Sequence, residues 1–355
     1  MKFVHMSDVH LGLANDKGMP WSGEKARERF QALERVIDLC NKERVDLLLS
    51  VGDMFDLQPT AAEIREVKYQ FSRLEHTKVV LLAGNHDYLS TNTRYPELLV
   101  EDKVFLLPGG KVGSVTIPSL DTTVYGVSYD APNIQVNLLQ DLHPQSSQGY
   151  HILMAHGGDP GYLPFDKKEV GQAGFDYVAM GHIHKTEWFG DRMSYVGALE
   201  AFDKSEIGPH GVILAELNGS DFQTTFVPLA YREYRLLSAR VTPERSMREL
   251  ADQILEDILN QGEQHVYRVT LEGYYNPEAP NDVEYLHGLL LERVCVLEIM
   301  DESRPDYDFD QLKADNKDNL LGQFLERASE LPGEEEWKEK VMAAGATALL
   351  AGRDK

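Results

Sequence analysis

Cysteine is scarce in this 355-residue sequence, which contains only Cys40 and Cys295. The two lie far apart and each falls within an apolar-periodic segment, so we expect two buried free thiols in a reducing compartment. The chain also lacks any run of about 18 apolar residues, which argues against a membrane span. Its first residues, MKFVHMSDVH, contain no apolar stretch of the kind that a secretory signal requires. These absences predict a cytoplasmic protein with no membrane partner.

Positive charge is scarce too, and the formal net charge at pH 7 is −23. Residues 237–355 hold 13 Lys and Arg against 26 Asp and Glu, a net charge of −13, whereas residues 1–236 hold 22 against 32, a net charge of −10. Proteins that bind nucleic acid usually present a basic surface. The balance therefore argues against tight DNA binding by this chain alone, but it does not exclude cleavage of DNA at a metal centre.

Short apolar runs alternate with helix-like segments in the first half of the chain. Residues 24–43 and 61–75 have the apolar spacing of amphipathic helices. The apolar runs predict buried strands, and they read KFVHMS, VDLLLSVG, KVVLLAG, TTVYGVS, YHILMAHG and DYVAMGH. Strands that alternate with helices indicate an α/β layered domain. We expect this first domain to span residues 1–232.

Two further segments follow the first domain. Residues 233–302 predict a small α+β module, with strands over 234–241, 265–272 and 292–299 and helices over 244–260 and 282–290. Residues 303–355 predict a helical segment that Pro332-Gly333 interrupts and Gly352 ends. Apolar residues form one face of its central helix, and they are Leu320, Leu321, Phe324, Leu325, Ala328 and Leu331.

Polar side chains gather at the ends of five predicted strands. The clusters are Asp8-Val9-His10, Gly52-Asp53-Met54-Phe55-Asp56, Gly84-Asn85-His86-Asp87, His156-Gly157 and Gly181-His182-Ile183-His184. One such cluster alone says little, because a lone histidine at a strand end is often a hydrogen-bonded structural residue. Five clusters at the carboxyl ends of strands are more specific, because open α/β sheets bind their ligands there.

The clusters supply seven candidate metal ligands: Asp8, His10, Asp53, Asn85, His156, His182 and His184. Four imidazoles, two carboxylates and one amide oxygen are too rich in nitrogen for Ca²⁺ or Mg²⁺ as the preferred ion, and the set lacks the thiolates of a structural zinc site. Seven ligands are too many for one transition-metal ion and suit two. A carboxylate can bridge two ions about 3.5–4 Å apart, and Asp53 is the candidate bridge.

The same motifs, taken in order, resemble a known family. HMSDVHLG, GDMFD, GNHD, AHGG and MGHIHK resemble the calcineurin-like metallophosphoesterase superfamily and, within it, the SbcD-type and YhaO-like DNA repair nucleases. The resemblance covers about residues 1–232, while residues 233–302 resemble the capping domain of that branch. VMAAGATALLAGR is similar to the end of YhaO-like members. The resemblance implies a four-layer α/β/β/α sandwich with a small α+β capping domain and a helical C-terminal tail.

The resemblance also implies a role for each site residue. One ion would be held by Asp8, His10, Asp53 and His184, and the other by Asp53, Asn85, His156 and His182. His86 would donate a proton to the leaving oxygen. Asp56 would orient His86 by analogy, although a loop or helix-capping role for Asp56 stays open. The expected ions are two Mn²⁺, with Fe²⁺ or Zn²⁺ as alternatives, and they would supply a bridging hydroxide that attacks phosphorus.

The leading hypothesis is therefore a two-metal DNA exonuclease or endonuclease subunit of an SbcCD-like repair complex. Its expected partners are DNA, an SbcC-type coiled-coil ABC ATPase docked on the C-terminal helices, and a second copy of the chain. The alternative is a small-molecule or cyclic-nucleotide phosphodiesterase or phosphatase that uses the same site, which the acidic balance favours. A third class, a non-catalytic scaffold, fits poorly with a complete ligand set.

Overall fold

The computed structural model describes residues 1–219 and 221–351. The chain divides into two compact units, the first covering Met1–Tyr234 and the second beginning at Arg235. The predicted end of the last helix at Gly352 lies outside the described residues.

Two six-stranded sheets form the first unit. The first sheet has the order β12-β11-β1-β2-β3-β4, and its strands are β1 (Lys2–Met6), β2 (Leu47–Val51), β3 (Lys78–Leu82), β4 (Val104–Leu106), β11 (Gly211–Asn218) and β12 (Asp221–Pro228). The second sheet has the order β5-β6-β7-β8-β10-β9, and its strands are β5 (Gly113–Ile117), β6 (Thr122–Gly126), β7 (Tyr150–His156), β8 (Tyr177–Gly181), β9 (Glu187–Trp188) and β10 (Met193–Tyr195). Strands β1 to β4 are parallel, as are β6, β7, β8 and β10.

Successive side chains of a strand point to opposite faces of the sheet, so each sheet packs against a different layer on each of its faces. On β2, Leu47 and Leu49 face the second sheet, whereas Leu48 faces the helices α1 (Ser22–Glu43) and α2 (Ala61–Ser72). The second sheet likewise turns Ile152 and Met154 inward. Its outer face is covered by loop segments and the short helix α3 (Lys167–Gly171). The predicted four-layer α/β/β/α sandwich is confirmed, with a thin fourth layer.

The helix boundaries follow from local chemistry. Thr60 caps α2 in a capping box with Glu63, which satisfies two amide groups that the first turn would leave unpaired. Both predicted helices of this unit are present within a few residues of their expected bounds. The sequence does not predict four short elements, namely β4, β5, β9 and α3, because two to five residues carry too little periodicity. β9, with two residues, carries none.

The second unit is built from a four-stranded sheet and helices. The sheet contains β13 (Tyr234–Val241), β14 (Val266–Tyr275), β15 (Cys295–Asp301) and β16 (Arg304–Pro305). Helices α4 (Met247–Gln261) and α5 (Val283–Leu291) share one apolar core with the sheet. The last helices, α6 (Phe309–Asp315), α7 (Leu320–Ser329) and α8 (Glu335–Ala351), form a separate small core. The interruption predicted at Pro332-Gly333 falls between α7 and α8.

The two cysteines differ in burial. Cys40 is a buried free cysteine, as predicted, whereas Cys295 is only half-buried at the start of β15. Within residues 1–219 and 221–351, no helix is long and apolar enough to cross a membrane.

Candidate metal centre

The predicted ligands meet where strands of both sheets end. Asp8 and His10 follow β1, Asp53 follows β2 and Asn85 follows β3, all in the first sheet. From the second sheet, His156 is the last residue of β7, and His182 and His184 follow β8. Backbone hydrogen bonds join the loops, since the His10 amide donates to the Asp53 carbonyl at 3.0 Å. The structure therefore brings all seven candidate ligands to one edge of the sandwich.

One group of ligand atoms surrounds Asp8 Oδ1. His10 Nε2 lies 3.3 Å from His184 Nε2, and these two nitrogens lie 3.9 Å and 3.7 Å from Asp8 Oδ1. Asp53 Oδ2 completes the group at 3.9 Å from His10 Nε2. Three of these four side chains are almost completely inaccessible to solvent, so the group forms a buried, polar pocket for a small ion.

A second group surrounds Asn85 Oδ1. This amide oxygen lies 3.1 Å from both His156 Nε2 and His182 Nδ1. His156 Nε2 in turn lies 3.3 Å from Asp53 Oδ2. Asp53 Oδ2 thus belongs to both groups, and its other oxygen accepts the His86 amide at 3.0 Å.

The hydrogen-bond partners of the histidine rings show whether the two groups of ligand atoms suit a cation. His184 Nδ1 lies 2.7 Å from Glu206 Oε1, and His156 Nδ1 lies 2.8 Å from the Val51 carbonyl oxygen. Both contacts are with acceptors, so in the neutral rings each Nδ1 carries the hydrogen and each Nε2 presents a lone pair. These lone pairs face other acceptors, including the oxygens of Asp8 and Asp53. Acceptors that converge on acceptors need a cation between them.

Two further observations agree with that conclusion. Asp8 Oδ1 is buried and has no hydrogen-bond partner in the structure, which is costly unless a ligand satisfies it. Burial disfavours a charged His156, yet Asp53 and Asp8 outweigh burial and raise the pKa of His156 to about 9. In the ion-free protein a proton on His156 thus supplies positive charge where the acceptors converge. The residues fit divalent transition-metal ions.

Backbone strain is concentrated at these loops. Asp8, His10, Asp53 and His182 all have positive φ, at 51°, 48°, 47° and 89°. Non-glycine residues held in this region cost of order 1–3 kcal/mol each and persist only where the surrounding structure enforces them. Four of the seven candidate ligands are strained in this way, so holding them in place lowers the stability of the folded protein.

The structure shows which atoms of His86 and Asp56 meet. His86 Nδ1 lies 2.9 Å from the Asp56 backbone carbonyl oxygen, whereas the Asp56 carboxylate Oδ1 is 3.7 Å away. That carboxylate lies nearer to His10 Nδ1, at 3.4 Å. A ring nitrogen of His86 also lies within 4.8 Å of ligand atoms of His10 and Asp53, so proximity does not separate it from the ligands. Its side chain is 35% exposed, whereas the His10 side chain is fully buried.

Asp87 stabilises the turn that presents Asn85. Its carboxylate accepts hydrogen bonds from the backbone amides of Phe55 and Gly84 and from the Tyr95 hydroxyl. Burial, together with the nearby Asp53, raises the pKa of Asp87 to about 6. The side chain is completely buried, and it acts on the loop through these three hydrogen bonds.

Two residues that support the site escaped sequence reasoning. Glu206 accepts from the Phe202 amide and contacts His184, and no motif or spacing marks it. Arg29 looks like an ordinary charged residue of an amphipathic helix, yet it is only 1% exposed. Its guanidinium donates to the carbonyl oxygens of Val9, at 3.1 Å, and Ala201, at 2.9 Å. Val9 lies between two candidate ligands, so Arg29 ties α1 to the ligand loop.

Sequence comparison decides the family. The profile of the calcineurin-like phosphoesterase family matches residues 1–186. This chain belongs to that family. Its members use divalent metal ions, which agrees with the acceptor-lined centre.

Individual relatives extend further along the chain. The metallophosphoesterase YhaO of Bacillus subtilis is 27% identical over 304 residues, which cover 77% of this chain and 72% of that protein. The DNA double-strand break repair protein Mre11 of Saccharolobus solfataricus is 30% identical over 208 residues, 53% of this chain and 50% of that protein. Mre11 of Sulfolobus acidocaldarius is 24% identical over 297 residues, 77% of this chain and 75% of that protein.

Replacing Gly84 with alanine should disrupt the centre. An added Cβ would lie 2.1 Å from Asp53 Oδ1 and 2.6 Å from the Asp53 amide nitrogen, so the shared carboxylate must move. We expect Mn²⁺ affinity, measured by calorimetry, to fall about 10- to 100-fold. Gly23→Ala is the matched control, because nothing lies within 4 Å of its added Cβ. Unchanged Mn²⁺ affinity in a folded Gly84→Ala protein would contradict the role given to this packing.

Proposed function

We propose that this chain is a two-metal phosphodiesterase that hydrolyses DNA, the nuclease subunit of an SbcCD-like repair complex. The observation that carries the proposal is the pair of acceptor groups that share Asp53 Oδ2. Paired ions about 3.5–4 Å apart suit the in-line displacement of a phosphodiester, because they stabilise both the attacking and the leaving oxygen.

The proposed ligand assignment follows the two groups. Asp8, His10, Asp53 and His184 would hold one ion, and Asp53, Asn85, His156 and His182 would hold the other. Two divalent transition-metal ions, proposed as Mn²⁺, would activate water at neutral pH and neutralise charge on the phosphoryl oxygens. Glu206 and the Val51 carbonyl oxygen would fix the orientation of His184 and His156.

His86 is the proposed proton donor. Its Nδ1 is occupied by the Asp56 carbonyl oxygen, which leaves Nε2 as the nitrogen that would protonate the leaving oxygen. Its partial exposure supports this role, because a proton donor must reach the substrate. Asp56 would act twice, with its carbonyl oxygen orienting His86 and its carboxylate orienting His10.

DNA as substrate is supported by the relatives whose names identify them as break-repair proteins. The net charge of −23 opposes it and favours the alternative, a small-molecule or cyclic-nucleotide phosphodiesterase. We favour DNA because Mre11 of S. acidocaldarius, a relative named for DNA double-strand break repair, aligns over 77% of the chain, beyond what the catalytic unit alone would require.

We also propose a homodimer, cytoplasmic residence and an SbcC-type coiled-coil ATPase partner. Support for the partner comes from the last two helices, where Leu320 is 67% exposed and Trp337 is 49% exposed. Leu320 lines a groove together with Phe324 and Leu331, and contiguous exposed apolar surface is typical of an interaction site. In the proposed division of labour, residues 233–302 act as the capping domain and residues 303–355 dock the ATPase.

Incubation with linear duplex DNA tests the function directly. With Mn²⁺, a duplex labelled at the 3′ end should be shortened, and Asp53→Asn should abolish the shortening because it alters the shared carboxylate. The Asp53→Asn protein also controls for contaminating nucleases. Cleavage of only bis-p-nitrophenyl phosphate or a cyclic nucleotide would reject the DNA proposal in favour of the small-molecule alternative.

Replacement of His86 separates proton donation from metal binding. His86→Ala should retain two Mn²⁺ ions per chain while turnover falls about 10²–10⁴-fold, the usual contribution of a general acid. His76→Ala, which removes an exposed histidine of the same unit, should change neither quantity. Loss of a metal ion from His86→Ala would instead make His86 a ligand.

A further inference from the structure

A cavity of about 800 Å³ opens beside the metal centre, and apart from His184 and Glu206 its lining has no part in the proposed chemistry. Trp188 on β9 and Phe226 on β12 line it. These strands are the edges of the second and first sheets, so the cavity lies between the open edges of the sandwich. Its volume falls in the range of about 300–1,000 Å³ that is typical of ligand pockets.

The lining combines aromatic and aliphatic side chains with a few polar groups. Trp188 is 40% exposed and Ile207 is 42% exposed, and both line the same cavity. Lys185, an exposed cation, adds hydrogen-bond donors to this lining, whereas the buried His210 lies with its Nδ1 3.1 Å from the Gly208 carbonyl oxygen. An apolar cavity with a partly exposed indole side chain suits a flat aromatic ligand.

The cavity is continuous with the metal centre through one side chain. His184 lines the cavity, and its Nε2 lies 3.7 Å from Asp8 Oδ1 in the centre. Glu206, which contacts His184 Nδ1, also lines the cavity. A group bound in the cavity would therefore contact a side chain of the metal centre.

We propose that this cavity binds a nucleobase of the substrate strand, stacked on Trp188 and next to the scissile phosphodiester. The proposal rests on the proposed function and specifies its substrate as a strand with an unpaired base, in a single strand or at a duplex end, because a paired base enters a cavity only at the cost of unstacking and unpairing. Lys185 lies where it can contact a flanking phosphate.

The net charge of the chain favours a site that binds a nucleobase over a groove that binds the phosphate backbone of DNA. With a net charge of −23 the chain has little means of neutralising many phosphates. Stacking on an aromatic side chain needs no positive charge and tolerates any base. A stacking site therefore offers an acidic protein a way to hold DNA.

Tryptophan fluorescence in EDTA tests the proposal without turnover. A single-stranded thymidine oligonucleotide should quench the emission of the full-length protein, because a stacked base quenches indole. Because both Trp188 variants lack the reporting indole, their affinities are measured by the fluorescence anisotropy of a labelled thymidine oligonucleotide. By that measure Trp188→Ala should weaken binding about tenfold, the scale of one base–aromatic stack, and Trp188→Phe should restore most of the affinity although its quench is lost. An abasic oligonucleotide of equal length should bind both the unsubstituted protein and Trp188→Ala with the same weak affinity.

Controls separate the possible outcomes. Tyr69→Ala removes another exposed aromatic of the same unit, outside the cavity, and should leave binding unchanged. Equal affinity of Trp188→Ala and the unsubstituted protein for the thymidine strand would overturn the proposal. Tight binding of free thymidine monophosphate, equal to that of the strand, would also overturn it, because the cavity would then serve a small nucleotide.

The binding result is independent of the proposed function. Quenching by the strand with no hydrolysis in Mn²⁺ would reject the nuclease and retain the base site. Hydrolysis of the strand with no effect of Trp188→Ala on KM would retain the nuclease and reject the base site.

Discussion

The Asp53 carboxylate is the group on which the rest of the centre depends. One of its oxygens faces both His10 Nε2 and His156 Nε2, and the other accepts the His86 amide. It thereby joins the first sheet to the second and fixes the loop that carries the proposed proton donor. Its surroundings are tight, with Gly84 leaving no room for a side chain.

Charge balance explains why such a cluster can exist in a folded protein. Several acceptors point at one another in a buried space, and two carboxylates there would repel each other without positive charge. His156 and His184 can supply it as protons, because nearby carboxylates outweigh burial and raise the pKa of both rings. Metal ions would supply it more completely. The strained backbone at Asp8, His10, Asp53 and His182 adds a conformational cost to this electrostatic cost.

Much of this arrangement can be predicted from the sequence, because parallel strands must deliver their carboxyl ends to one edge. Apolar runs such as VDLLLSVG mark the strands, and the polar residues after them mark the edge. The supporting residues cannot be predicted in this way. Glu206 lies in an irregular segment, and Arg29 looks like a surface residue of α1, so only the folded chain brings them to the ligands. Trp188 belongs to a two-residue strand that no periodicity can reveal.

The contact between Asp56 and His86 is another detail that the sequence cannot specify. The sequence places the two residues on neighbouring loops, but it cannot say which atom of Asp56 meets the ring. In the structure the backbone carbonyl oxygen makes the close contact, while the carboxylate lies nearer to His10. A backbone contact of this kind survives substitution of the side chain, so the identity of residue 56 bears more directly on His10 than on His86.

Anomalous X-ray scattering from crystals grown with Mn²⁺ would show whether Asp53 is shared by two metal ions. We expect two anomalous peaks about 3.5–4 Å apart, with Asp53 Oδ2 within coordination distance of both. A single peak, or two peaks of which only one contacts Asp53, would contradict it.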